Sequence, residues 1–112
     1  MSLFKLSNTK PSFDPVQRAK EILGKVPSSH LIKEAYLFGS AVTGGFTEDS
    51  DLDIIVTVGN SVDCKTLQTE VYKAGFSDIA IDWIFKVDDE FQSRKDVGGV
   101  CFEAFHYGKK LV

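Results

Sequence analysis

Three short stretches hold the residues best suited to chemistry: Gly39-Ser40 after one apolar run, Asp51-Leu52-Asp53 ahead of another, and Asp82 within Ile81-Asp82-Trp83. Side chains at i and i+2 of a strand leave from the same face. If a strand starts at about Asp51, then Asp51 and Asp53 stand side by side. Two carboxylates so placed repel, and the pair either shares a proton or binds a cation that reverses the local sign. Their hard oxygens suit magnesium or manganese, and magnesium completes its shell with substrate phosphate oxygens.

Gly39, at a strand end, allows a sharp turn and a close approach of backbone to ligand. The amides of the next turn point outward as anion donors, and Ser40 adds a hydroxyl. One segment thus offers a phosphate cradle and its neighbour a cation site, which together suit a nucleoside triphosphate held with its metal. Asp82 is a third carboxylate, in mid-strand, where a charge is costly without a partner or a function. It faces the same pocket if the third strand neighbours the second. Taken singly, Gly-Ser is a turn signal and Glu48-Asp49-Ser50-Asp51 a solvated turn. It is their joint occurrence, each beside a strand, that carries the reading.

The elements that must position these residues follow from periodicity and punctuation. Asp14-Pro15-Val16-Gln17 reads as a helix start with an Asp cap and Pro at the first position. Val16, Ala19, Ile22, Leu23 and Val26 continue it at helical spacing until Pro27. Ile32 to Phe38 reads as a buried strand, and Ala41 to Phe46 as a short helical turn broken by Gly44-Gly45. Asp51 to Val58 is a second, central strand, nearly continuous in apolar character. Val62, Leu67, Val71 and Ala74 suit a helix closed by Gly75. A third strand spans Asp78 to Val87. Helices follow near Asp88 to Val97 and from Val100 to Tyr107, with a Gly98-Gly99 break between them and a short edge strand at Lys109 to Val112. Residues 1–13 read as a loosely ordered entry.

A length of 112 residues suits one domain spanning 1–112, and 43% hydrophobic with 26% charged residues is ordinary globular composition. No apolar run approaches a membrane span, and no secretory signal is evident, so the expectation is a cytoplasmic protein with no membrane association. Cys64 and Cys101 lack zinc-type spacing and read as reduced, buried thiols. The net charge of −3 argues against a broad nucleic-acid-binding surface. That charge is concentrated: Glu48, Asp49, Asp51 and Asp53 crowd into six positions without a cation, leaving the rest of the chain close to neutral.

Leu37-Phe38-Gly39-Ser40, ten residues, Asp51-Leu52-Asp53-Ile54 and a later strand aspartate, Asp82, resemble the minimal nucleotidyltransferases of the DNA polymerase beta superfamily. The resemblance spans roughly Ile32 to Ile84. It implies an α+β fold, the nucleotidyltransferase fold, with a small mixed β-sheet and helices packed mainly on one face. It implies further that Gly39 and Ser40 bind the triphosphate of ATP or another nucleotide, and that Asp51, Asp53 and Asp82 form the metal and catalytic set for two Mg²⁺ ions. By the same resemblance, Asp82 assists deprotonation of the acceptor hydroxyl, which attacks the α-phosphorus and releases pyrophosphate. It also implies a small helical partner of the HEPN type, in an antitoxin–toxin pair.

One position departs from that pattern: the third residue after the motif serine, commonly basic, is Thr43. Lys65, Lys73, Lys86 or a partner's arginine are the candidate substitutes for the cation. Thr43 also motivates a second reading, a non-catalytic module that keeps the fold and masks a partner protein. A small metal-dependent phosphohydrolase is a third. Phe102, Phe105 and Tyr107 are either a docking face or, as is commoner for aromatics at helical spacing, core. His30 and His106 belong to no ligand-spaced cluster and read as surface or packing residues. The acceptor and the oligomeric state stay open, a homo-oligomer included.

Overall fold

A computed structural model of the chain describes residues 14–45, 50–75 and 79–112. The expected loose entry at residues 1–13, the acids Glu48, Asp49 and Asp78, and Phe46 lie outside these. The chain opens on helix α1 (Pro15–Gly24), where the Asp14 carboxylate accepts from the Val16 amide at 3.0 Å and Pro15 fills the first turn. A 3₁₀ turn (Ser29–Leu31) leads into β1 (Glu34–Phe38), and a four-residue helix α2 (Ser40–Thr43) follows. Then come β2 (Leu52–Val58), α3 (Ser61–Ala74), β3 (Ile81–Val87), α4 (Asp88–Arg94), α5 (Gly99–Tyr107) and β4 (Lys109–Lys110). Asn60 caps α3 through the Asp63 amide, and Gly75 closes it in the left-handed conformation.

The four strands form one mixed sheet in the order β3-β2-β1-β4. β1 is antiparallel to both β2 and β4, and β2 is parallel to β3 through the α3 crossover. β2 therefore lies inside the sheet, and Leu52, Ile54, Ile55, Val56 and Val58 are all fully buried, which accounts for its unbroken apolar run. Thr57 is the buried polar residue of this strand. Its hydroxyl accepts from the Glu34 amide at 3.0 Å, so its desolvation is compensated.

Alternation splits the core in two. Ala35, Leu37, Ile54, Val56 and Val58 point to the side covered by α1 and α3, where Ala19, Ile22, Leu23, Leu67 and Val71 complete the larger cluster. Tyr36, Phe38 and Ile55 point to the opposite side, where Phe91 of α4 and Cys101 and Ala104 of α5 form a smaller one. The mixed α+β sheet with its main helical layer on one face is as expected, and α4 and α5 add a cover on the other. In that cover Tyr36 stacks on Phe91 with ring centroids 5.5 Å apart, and Phe105 meets Tyr36 edge-on at 6.2 Å.

Element limits differ from the expected ones by one to three residues. α1 and α4 stop at Gly24 and Arg94, short of Val26 and Val97, and β1 begins at Glu34 rather than Ile32. β3 begins at Ile81, and β4 stops at Lys110. Cys101 is buried and Cys64 partly so, and burial pushes both free thiols up from the usual cysteine range. No helix among the described residues is long and apolar enough to cross a membrane.

Gly108 joins α5 to β4 where the backbone passes the carbonyls of Ala104 and Leu37, the latter 2.8 Å from where a Cβ would lie. Gly108→Ala forces α5 away from β1 and is expected to cost ~1–3 kcal/mol, the usual range for overpacking. Gly59→Ala is the control, since its nearest neighbour is the end of the Lys33 side chain at 3.7 Å. Thermal denaturation of the two variants checks this, and equal melting temperatures would refute the close-approach account.

Candidate functional site

Strand register brings the expected residues together at one end of the sheet. Asp53 lies directly opposite Asp82 on the parallel neighbour β3 and directly opposite Phe38 on the antiparallel neighbour β1. Opposed residues share a face, so both carboxylates lie on the α4/α5 side. Gly39 follows Phe38 at once, with φ +75°, and its backbone rests against the Asp53 side chain. A Cβ at position 39 would collide with Asp53 Oδ2. Glycine is required there twice over, for the left-handed backbone and for the space.

Asp51 stands one residue ahead of β2 and is exposed, so the strand begins one residue later than the sequence suggests. Its charge still reaches Asp53. Burial raises the Asp53 carboxyl above the usual aspartate range, and the neighbouring charges of Asp82, Asp51 and Glu103 raise it further. Three carboxylates thus act on Asp53 here. Glu103, on α5, is the member that sequence reasoning missed. A helix face shows its spacing in the sequence but not which neighbour it meets, and only the docking of α5 on β1 turns Glu103 towards this end of the sheet.

Ser40 opens α2. The Gly39 carbonyl accepts from the Val42 and Thr43 amides at 3.0 and 3.1 Å and from the Thr43 hydroxyl at 3.3 Å. Thr43 therefore closes its own turn. The candidate cations do not replace it: Lys65 and Lys73 lie along the outer face of α3, and Lys86 pairs with Glu90 at 3.4 Å, four residues along β3 from Asp82. His30 is exposed in the 3₁₀ turn, and His106 pairs with Asp96 at 2.7 Å and packs on Phe102, so both serve as surface or packing residues.

A groove of about 520 Å³ runs from Gly39 and Thr43 to α5, where Gly99, Val100, Phe102, Glu103 and Tyr107 line it. The three aromatics of α5 divide their tasks. Phe105 packs against Tyr36 and Phe91 under the Lys95 ammonium, while Phe102 and Tyr107 face the groove.

The donor set can be tested against a divalent ion on its own chemistry. Among the described residues no three His, Cys, Asp or Glu side chains form a ready-made metal cage. Burial raises the proton affinity of Asp53, and the charges of Asp82 and Asp51 raise it further; the part due to those like charges would favour a cation as well as a proton. An open carboxylate set that leaves coordination positions to substrate oxygens fits magnesium better than a full protein cage would.

In the absence of metal, Asp53 binds protons more tightly folded than unfolded. This group costs stability above its folded pKa and nothing below its unfolded one, with the loss developing as pH rises between them. Asp53→Asn is expected to raise the melting temperature of the metal-free protein at pH 8 and to leave it nearly unchanged at pH 3. Thermal shift in EDTA at the two pH values checks this, and an equal or lowered melting temperature at pH 8 would contradict it.

Comparison with known proteins places this geometry. The chain is similar to a Sulfolobus solfataricus protein described as a nucleotidyltransferase, with a TM-score of 0.53 and 26% identity over 70% of this chain and 71% of the other. It shares its fold with a chain of the toxin–antitoxin assembly MntA–HpeT, solved as a mutant, with a TM-score of 0.56 and 18% identity over 89% of this chain and 73% of that one. A search of curated sequences finds no match. A family model described as the nucleotidyltransferase domain matches residues 19–105, a span that takes in Gly39, Ser40, all three aspartates and Glu103. On that match the chain belongs to the nucleotidyltransferase domain family.

Proposed function

We propose that this protein transfers a nucleoside monophosphate, AMP from ATP in the first instance, to an acceptor hydroxyl and releases pyrophosphate. The observation that carries the reading is the register that sets Asp53 opposite Asp82, beside the Gly39 turn. In this reading Gly39 and Ser40 hold the triphosphate through backbone amides and the Ser40 hydroxyl. Asp51, Asp53 and Asp82 would hold magnesium, as two ions, with manganese as a substitute. When bound, such ions would supply charge neutralisation to the phosphoryl group in transfer. Asp82, exposed at the sheet edge, accepts the proton of the acceptor hydroxyl. The acceptor oxygen then bonds to the α-phosphorus, and the bond from that phosphorus to the β-phosphate bridging oxygen breaks. The fold shared with a chain of a toxin–antitoxin assembly supports an acceptor carried by a small helical partner of the HEPN type.

A second reading rests on Thr43. Its hydroxyl is spent on the Gly39 carbonyl, and no lysine or arginine is among the described residues that line the groove. A module that masks its partner without transferring nucleotide has no need of that cation.

Incubation with α-labelled ATP, Mg²⁺ and a co-expressed partner separates the readings. Transfer places label on the partner, a phosphohydrolase releases it to water, and a masking module does neither. For a transferase, Asp51→Asn and Asp53→Asn are each expected to lower labelling at least about 100-fold, the scale on which loss of a group that stabilises transition-state charge is felt, and EDTA to abolish it. Partner neutralisation that survives Asp51→Asn/Asp53→Asn unchanged would sink the transferase reading in favour of masking.

A further inference from the structure

Helix α5 has two working faces. Cys101 and Ala104 are buried against Tyr36, Phe38 and Ile55. Val100, Glu103 and Tyr107, at i, i+3 and i+7, form a stripe along the groove opposite Gly39 and Thr43. The groove's volume, about 520 Å³, falls within the roughly 300–1,000 Å³ of small-molecule sites. Its polar inventory is lopsided, because Glu103 is the one charged side chain among its described lining residues. A carboxylate repels phosphate, so the groove suits the uncharged part of a nucleotide, its ribose and base. A carboxylate offers hydrogen-bond acceptors. Glu103 lines the groove together with Gly39, the residue that the proposed function sets at the triphosphate, and there the ribose hydroxyls of a bound nucleotide are the nearest donors. Tyr107 is one helical turn further on, about 6 Å along the axis. At 62% exposure, with the Phe102 ring edge-on to it at 6.0 Å, it offers an open aromatic face.

We propose that Glu103 selects ribonucleotides by accepting a hydrogen bond from the ribose 2′-hydroxyl, while Tyr107, steadied by Phe102, holds the base by stacking. The proposal rests on the nucleotidyltransferase reading and deepens it. Because no polar side chain of α5 in the groove other than Glu103 and the Tyr107 hydroxyl is available to read a base edge, the sugar is selected strongly and the base weakly.

Equilibrium binding in Mg²⁺ of ATP, 2′-deoxyATP, GTP and inorganic tripolyphosphate tests it on the wild type, Glu103→Ala, Glu103→Gln and Tyr107→Ala. Both residues are exposed, and circular dichroism confirms that the variants fold. The wild type is expected to bind ATP on the order of tenfold more tightly than 2′-deoxyATP, as for a hydrogen bond to a charged group, and to bind GTP like ATP. Glu103→Ala makes ATP and 2′-deoxyATP bind alike and does not weaken tripolyphosphate, whereas Glu103→Gln keeps part of the preference because its amide oxygen still accepts. Tyr107→Ala weakens ATP and GTP alike and spares tripolyphosphate. Equal binding of ATP and 2′-deoxyATP by the wild type, or a preference that survives Glu103→Ala, overturns the assignment of Glu103. So does a loss of tripolyphosphate binding in that variant, which would place the residue at the metal. A strong preference between ATP and GTP overturns the stacking assignment. If the wild type binds neither tripolyphosphate nor ATP with metal present, it is the nucleotidyltransferase reading that falls.

Discussion

Asp53 cannot move away from Asp82. The two residues occupy matched positions on paired strands, and the strand that carries Asp53 is held on both edges, by β1 and by β3. In a loop, like charges would swing apart into water. Here the ladder fixes their backbone, and Leu52 and Ile54 on either side of Asp53 are fully buried on the opposite face, so rotating the strand to release the carboxylate would expose them. The repulsion stored at the site is thus sustained by hydrophobic burial elsewhere in the same strand. Every other feature of the site adapts to this constraint: Gly39 gives up its side chain to make room for Asp53, and Thr43 closes the turn behind it.

The sheet's second face accounts for the groove. α1 and α3 build the larger core on the face turned away from the carboxylates. α4 and α5 then cover the face that carries Asp53 and Asp82 only in part, anchored by the Tyr36, Phe91 and Phe105 rings. What they leave open is the groove between α5 and the Gly39 turn. One helix therefore serves as core on one side and as groove wall on the other, and Gly108 lets it approach β1 closely enough to do both.

Much of this was legible in the sequence because it is local. The strand before Gly39, the acids ahead of an apolar run, the capped start of α1 and the Gly75 close of α3 are each written within a few residues. The pairing of Asp82 with Asp53 was conditional on which strands are neighbours, and α3, long enough to cross over the sheet, made a parallel partner for β2 available. Glu103 was not legible. Its stripe with Val100 and Tyr107 is present in the sequence, but whether that stripe meets solvent, core or the carboxylate end of the sheet is decided by a tertiary contact. The fate of the aromatics at 102, 105 and 107 was hidden for the same reason, since a ring committed to packing and a ring left beside a groove look alike in sequence. Thr43 could be noticed as a departure, yet its bond to Gly39 depends on the turn geometry.

The position of β1 carries a consequence for how the protein is made. β1 takes one partner from β2 and the other from β4, and Leu37 meets Lys109 only 72 residues further along the chain. On the ribosome, the edge of β1 that ends in Gly39 emerges early and waits for that cover while β2, α3 and β3 are still being synthesised. An uncovered strand of buried residues is a template for wrong pairing. Until β4 arrives that edge is open to wrong pairing, and the short strand acts as a latch on the edge that leads into the Gly39 turn.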